Sequence, residues 1–402
     1  MNLFEPATYE GVRRPLLEAE TLPVGCYTSE EFFKREVETI FMKVWNFIGR
    51  ADYIPKAGDY YTVNFAGVPL LIVRGDDGKV QAFVNSCRHR GAKLASGKGN
   101  AFAFKCPYHG WVYNKKGQLT GCPGMESAKN FDRKDYPLVP VRTETWGGFV
   151  FVNFDPDCGS LKEYLGNIDE LFASYRMEDM VCTRRKEYDV ACNWKIYVEN
   201  AMEAFHVPHV HRGSINRQRG SVKNDRTFDS TEGHWVVMHK QHEGSRAVLV
   251  GDQGFPRIGG LEGKAAMGTF YPLLFPSTML GCTIDCMWFL EIHPLSAARM
   301  KLIVGSCFPS ALTQQPDFES IAANYYKRWD MTTQEDIDIS VIQQEGVSTA
   351  FSRPGRLSEH EPLVHAIDNW VLDHVFGLAK GKRSFQGFTT QDLDVLPENL
   401  VA

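Results

Sequence analysis

Two short runs, NSCRHRG and KCPYHGW, restrict what this chain can fold around more than any other feature. They hold Cys87 with His89 and Cys106 with His109, as Cys-x-His and Cys-x2-His, with sixteen residues between the pairs. Each pair follows a β-rich run and is closely followed by glycine, so two loops can clasp one metal centre. Thiolate and imidazole are both transition-metal ligands, and the short spacing lets each loop deliver one of each with little closure entropy. Zinc is the alternative occupant, although zinc modules usually pair Cys with Cys and His with His at longer separations. The ten cysteines, at 26, 87, 106, 122, 158, 182, 192, 282, 286 and 307, are too thinly spread over 402 residues for a disulfide framework.

At roughly 150 residues per domain, the length implies two to three domains. A net charge of -5, with 43% apolar and 23% charged residues, is that of a mildly acidic globular protein and offers no basic surface for nucleic acid. The opening MNLFEPATYEGVRRPLL lacks the apolar run of a secretory signal. No uninterrupted apolar window is long enough for a membrane span, so a soluble, cytoplasmic chain without membrane contact is expected. There is no repeat of fixed period.

From Thr28, the run TSEEFFKREVETIFMKVW has a capping box, Thr28 with Glu31, then Phe33, Val37, Ile40, Phe41 and Val44 at helical spacing. This predicts an amphipathic helix leading to Trp45. From about 59 to 155, short runs such as YYTVNF, PLLIVR, QAFVN and GGFVFVNF, separated by turns such as GDDG and NKKG, predict a small antiparallel β domain. Beyond Pro156 the pattern is mixed. Helices are expected near 160–175, 193–207, 318–347 and 361–378, and strands near 234–239, 246–250, 283–293 and 299–308. The combination reads as α+β, with helices packed on an antiparallel sheet. The Gly-rich stretch 251–263 lacks the GK[ST] ending of a phosphate-binding loop and reads as a mobile loop.

A second constellation lies in NWKIYVENAMEAFHVPHVH, with three histidines within six residues. Read as a helix from Asn193, it sets Glu199, Glu203 and His206 on one face at i, i+4 and i+7, and Pro208 ends or kinks it, turning His209 and His211 back. A lone histidine here would be a structural residue; the cluster with its carboxylates suggests more. Two imidazoles and one carboxylate on one face of an iron form the facial triad of non-haem Fe(II) oxygenases, with open positions for dioxygen.

The first constellation resembles the Rieske motif, whose two Cys hold one iron of a [2Fe-2S] cluster and whose two His hold the other. The resemblance implies Cys87 and Cys106 on one iron, His89 and His109 on the second. Gly91, Ala92 and Tyr108 stand near the positions where respiratory Rieske proteins carry a further, disulfide-linked Cys pair, so the chain is similar to the oxygenase type. In Rieske oxygenases the element [DE]-x2-H-x4-H maps onto Glu203, His206 and His211, and a later Asp, here Asp336 in QEDIDISVIQQEG, completes the mononuclear Fe(II) site. Asp338 and Glu335 compete with Asp336, and His209 with His211. By the same resemblance Glu203 binds no iron. It links a cluster histidine of one subunit to a mononuclear-site histidine of the next, along His109, Glu203 and His206. The family usually has Asp there; members acting on quaternary ammonium compounds such as carnitine also have Glu, which hints at the substrate.

The resemblance implies three parts: 1–44, an N-terminal helical segment packing on the catalytic domain; 45–155, the Rieske domain; and 156–402, a helix-grip catalytic domain. It implies the terminal oxygenase (α) subunit of a multicomponent system, a homotrimer or a multiple of trimers. Electrons from NADH or NADPH would arrive through a separate reductase, with or without a ferredoxin, since no dinucleotide or flavin motif occurs in the chain. The expected reaction is hydroxylation of a small organic substrate, with Glu203 favouring monooxygenation and N- or O-dealkylation over cis-dihydroxylation of an aromatic ring. Two readings of other classes are a zinc-bearing ligand-binding protein and an electron carrier with a passive C-terminal domain. Asn200 and Val207 are expected to border the substrate. Of Trp235, Phe270, Tyr271, Phe275, Trp288 and Phe289, most are expected in the core, and an aromatic cage for a cation would need several facing one point.

Overall fold

The computed structural model describes residues 2–215, 226–230, 233–241 and 246–378. It divides into two compact units, one of Phe41–Leu161 and one made of the chain up to Ile40 together with the chain from Lys162 onward.

The Phe41–Leu161 unit is built of β1 (Asn46–Arg50), β2 (Asp59–Phe65), β3 (Val68–Arg74), β4 (Val80–Val84), β5 (Lys98–Asn100), β6 (Ala103–Lys105), β7 (Val112–Asn114), β8 (Leu119–Gly121), β9 (Pro140–Trp146) and β10 (Phe149–Asn153). The order β1-β10-β9-β4-β3-β2-β5 forms one sheet and β6-β7-β8 a small second one. All pairings are antiparallel, as the short β-rich runs predict. Two tight hairpins set register. Ala66 and Gly67, at φ 48° and 85°, join the Phe65/Val68 pair, and Gly147 and Gly148, at 53° and 81°, join Trp146/Phe149. Positive φ at both central residues matches the right-handed twist of the strands, which is why glycine recurs there.

The other unit carries β11 (Met180–Val190), β12 (Arg226–Ser230), β13 (Trp235–Gln241), β14 (Gly268–Leu274), β15 (Thr278–Cys282), β16 (Met287–Ser296) and β17 (Arg299–Pro309), in the antiparallel order β11-β17-β16-β15-β14-β13-β12. A 30-residue helix, Phe318–Val347, packs on this sheet and is about 45 Å long at 1.5 Å per residue. Phe318, Ile321, Ala322, Tyr325 and Trp329 meet Trp288 and Phe308 in a shared core. From Arg328 onward the buried face becomes mixed: Arg328, Thr333, Ser340 and Gln344 are buried along with Trp329 and Ile337. That change marks where the helix stops supporting the core and starts lining a site. No described helix is long and apolar enough to cross a membrane.

Several local expectations are corrected. The N-terminal helix runs Glu30–Glu36 and continues with π-helical geometry over Val37–Phe41, so the expected span is largely met, but its cap is Ser29, whose Oγ accepts the Phe32 N–H at 3.2 Å; Thr28 donates its hydroxyl to the Val24 carbonyl instead. The helix expected over 160–175 is broken into Leu161–Leu165, Asp169–Phe172 and a single turn Ala173–Tyr175. Residues 246–250 form no strand, although Ala247 and Val248 are buried in the core beside the long helix. The 251–263 loop is anchored to the core through Phe255. Phe255 is fully buried, stacks on Tyr325 at 5.4 Å, and donates its N–H to the Tyr325 hydroxyl at 2.7 Å.

Candidate metal centres

The Cys87 and Cys106 loops use the same turn. Gly91 N–H donates to the Cys87 carbonyl at 2.8 Å and Cys87 N–H to the Ala92 carbonyl at 2.9 Å; Gly110 N–H and Cys106 N–H repeat this with Cys106 and Trp111 at 3.0 and 2.7 Å. Closing it takes a left-handed residue four places after each Cys, and Gly91 and Gly110 sit at φ 77° and 74°. Asn85 fastens the first loop, accepting the Leu94 N–H at 2.9 Å and donating to the Ala95 carbonyl at 2.9 Å. Both thiols are buried, while the His89 and His109 rings lie 4.6 Å apart nearer the surface. His89 stacks on Trp111 at 4.9 Å and 10°, and its Nδ1 is buried with no hydrogen-bond partner. An orphaned imidazole nitrogen beside two buried thiols suits a metal cluster, because a bare buried lone pair is otherwise costly.

In the other unit His206, His211 and Asp336 each turn one atom to a common point, all within 4.8 Å of one another. The two Nε2 atoms are 3.3 Å apart, and Asp336 Oδ1 is 3.1 Å from His211 Nε2 and 3.6 Å from His206 Nε2. Each Nδ1 faces a different carboxylate: Glu203 for His206, and Glu335, at 2.7 Å, for His211. Such partners fix the tautomer and the ring orientation of a metal-binding imidazole. Ser214 donates to Glu335 at 2.6 Å, and the Asn200 amide donates to Asp336 Oδ1 at 3.0 Å. Burial disfavours protonation of His211, but the hydrogen bonds and charges of Asp336 and Glu335 prevail and raise its pKa.

The local chain path differs from the expected helix. The helix from Trp194 to Ala201, capped by Asn193, ends before Glu203, so Glu199, Glu203 and His206 do not share a helical face. Glu199 is buried elsewhere, accepting the Tyr27 hydroxyl at 3.0 Å. Glu203 accepts the backbone N–H groups of Phe205 and His206. Pro208 opens the short helix Val207–Val210 rather than ending one. His209 is exposed and Asp338, also exposed, bonds Gln334, so both rivals lie outside the cluster; Glu335 is in it, but on the far nitrogen of His211.

A cavity of about 120 Å³ opens beside the three converging side chains, and Val207, Tyr271 and Trp288 line it. The Asn200 amide is turned to Asp336, which is itself part of the lining. Trp235, Phe270, Phe275 and Phe289 are core residues, so the six aromatic rings do not form one cage. Sequence reasoning did not find Arg328, which also lines the cavity, nor the partnership of Glu335 and Ser214 with His211. The signal for the former was a cation inside the buried stripe of a long helix.

A two-loop Cys/His centre in one unit, and a His/His/carboxylate centre between a seven-stranded sheet and a long helix in the other, define a two-centre iron oxygenase subunit. The sequence family of the Rieske [2Fe-2S] domain matches residues 44–132, and that of the ring hydroxylating alpha subunit (catalytic domain) matches 177–377. Choline monooxygenase of Spinacia oleracea is 30% identical over 368 residues, covering 89% of this chain and 79% of its own. The carnitine monooxygenase oxygenase subunit of Escherichia coli K12 is 34% identical over 269 residues, covering 66% and 68%. In fold, a quaternary ammonium Rieske monooxygenase superposes with a TM-score of 0.77 at 23% identity, covering 91% and 98% of the two chains. Naphthalene 1,2-dioxygenase does so with 0.75 at 19%, covering 94% and 95%.

The chain belongs to the Rieske non-haem iron oxygenases, as an oxygenase subunit of the ring-hydroxylating α type. Membership brings a [2Fe-2S] cluster, a mononuclear iron and dependence on a reductase that passes on electrons from NAD(P)H. The zinc-protein and passive-carrier readings are thereby set aside.

Proposed function

We propose that this subunit monooxygenates a carbon attached to nitrogen in a small N-alkylated substrate, releasing the dealkylated amine. The convergence of His206, His211 and Asp336 on one cavity carries the reading; the choline and carnitine monooxygenases among the relatives support the substrate class. In this reading Cys87 and Cys106 hold one iron of the cluster and His89 and His109 the other, while His206, His211 and Asp336 hold the mononuclear iron. When bound, these groups supply single electrons and activate dioxygen. Overall, one oxygen atom enters the C–H bond and the other leaves as water, with two electrons from NAD(P)H and two protons. The resulting carbinolamine breaks into amine and aldehyde.

The chain's own groups prepare this. Glu203 and Glu335 accept the Nδ1 protons of His206 and His211, so both Nε2 lone pairs face the centre. Asn200 holds the Asp336 carboxylate, and Tyr271, Trp288 and Trp329 wall the space against water. Glu203, on His206 Nδ1, would also be the residue that links this site to a neighbouring subunit, in a homotrimer or multiple of trimers. The NAD(P)H-fed electron supply, with ten unbridged cysteines, fits the cytoplasm. The test is oxygen uptake with a surrogate reductase against panels of N-alkyl compounds and aromatic rings. Uptake coupled to formaldehyde and a demethylated amine is expected; a cis-diol from the aromatic panel alone would overturn the assignment.

A further inference from the structure

Among the described residues, one guanidinium stands in the cavity wall without a counter-charge. Arg328, on the long helix, is only 7% exposed and lines the same space as His206, His211 and Asp336. Its Nε has no hydrogen-bond partner, and among the described residues no carboxylate pairs with it. The acidic groups of this wall are engaged elsewhere: Glu203 with His206, and Asp336 with the imidazoles and Asn200. Lys240 adds a second positive side chain to the lining.

An arginine cannot escape burial by losing its proton, so an unpaired buried guanidinium is among the costlier things a fold can keep. The three turns before it bury Phe318, Ile321, Ala322 and Tyr325. An apolar residue would have continued that stripe, so packing does not account for the charge. The guanidinium carbon lies 5.4 Å above the Trp288 ring. Burial raises the pKa of Tyr271, and the charge of Arg328 and a hydrogen bond from it oppose that rise, so the phenol is a neutral partner of the guanidinium and leaves its charge uncompensated. The protein's own cation therefore sits where an aromatic cage would take a substrate ammonium, and a purely cationic ligand would meet like charge here. A carboxylate would meet a planar, preorganised fork.

Arg328 and Asp336 are eight residues apart on one helix, about 12 Å along its axis, and Thr332 lies between them on the same face, spaced i, i+4 and i+8. We propose that the substrate carries a carboxylate, bound by Arg328 at one end of the cavity, while the N-alkyl carbon to be hydroxylated lies at the other, beside His206, His211 and Asp336. The substrate class is thus an N-alkylated amino-carboxylate rather than an amino-alcohol. This rests on reading that trio as the reacting centre.

The test uses the purified holoenzyme and matched probes: trimethylammonio-acetate, -propanoate and -butanoate, their methyl esters, and choline. Binding is read by calorimetry and tryptophan fluorescence. At least one acid should bind wild type about tenfold or more tighter than its ester and than choline, a factor typical of one charge-assisted contact. Arg328→Gln should lose that preference while ester binding is unchanged, and Arg328→Lys should regain part of it. Equal binding of acids and esters by wild type overturns the proposal, a comparison that needs no variant to fold. So does an Arg328→Gln protein that melts like wild type and keeps the preference. Acid-selective, Arg328-dependent binding with no N-dealkylated product from any probe would instead sink the proposed reaction and leave the carboxylate site standing.

Discussion

His206 and His211 each divide their ring nitrogens between a carboxylate and the shared centre, which makes the outer carboxylates as testable as the inner ligands. Glu335→Gln should weaken iron retention at the mononuclear site by roughly 10- to 100-fold, read by iron titration, and leave the visible absorption of the cluster untouched. A separate residue-scale effect concerns Glu199. Burial, foremost, raises its pKa to about 7, and the neighbouring Asp368 is pushed up as well. The folded chain holds this proton more tightly than the unfolded one, so the contribution is whole below the ordinary glutamate value and is lost as pH rises through about 7. The melting temperature should therefore fall between mildly acidic and alkaline buffer, and Glu199→Gln should flatten the slope. Cys87, His89, Cys106 and His109 were legible in the sequence because each loop brings its pair within a few residues. Arg328 was not, because a lone arginine on a helix ordinarily points to water. The buried Glu36–Lys195 pair, 2.7 Å apart, was hidden for the same reason.

The twin loops and the broken helix carry the lessons at the level of elements. Gly91→Ala or Gly110→Ala places a side chain at positive φ, costs about 1–2 kcal/mol, and should lower the cluster absorbance per chain. On β15, Gly281 pairs with Trp288, and a Cβ there would come within 2.1 Å of the indole. Gly281→Ala should cost about 1–3 kcal/mol and shift substrate affinity through the displaced ring, measured by melting and by binding. The helix Phe318–Val347 matches its expected span because its first turns keep an uninterrupted apolar stripe. The one expected over 193–207 stops early because the Glu203 carboxylate takes the N–H groups of Phe205 and His206, offering the backbone an alternative to the helical ladder. Proline at the first turn of the next short helix costs nothing, since that N–H would be unpaired anyway. Apolar spacing alone could not show which side of Pro208 was helical.

For the whole molecule, the proposed electron transfer between subunits makes a sharp expectation. A cluster-dead chain (Cys106→Ser) and an iron-site-dead chain (His206→Ala) should each be inactive, and their mixed oligomers should regain part of the turnover; silent mixtures would confine the path to one chain. Glu203→Gln should keep both metal centres and slow single-turnover oxidation of the reduced cluster. The order of the two metal motifs was readable from end to end, while the substrate was not, because the side chains around the cavity come from strands and helices far apart in sequence. The lone guanidinium in that wall leaves the ligand-free fold less stable than it could be. Any small anion that completes it should protect the native state against heat, by about 2.7 kcal/mol at a hundredfold excess over its dissociation constant. A melting screen of metabolite acids, with neither reductase nor oxygen present, would then search for the physiological substrate directly.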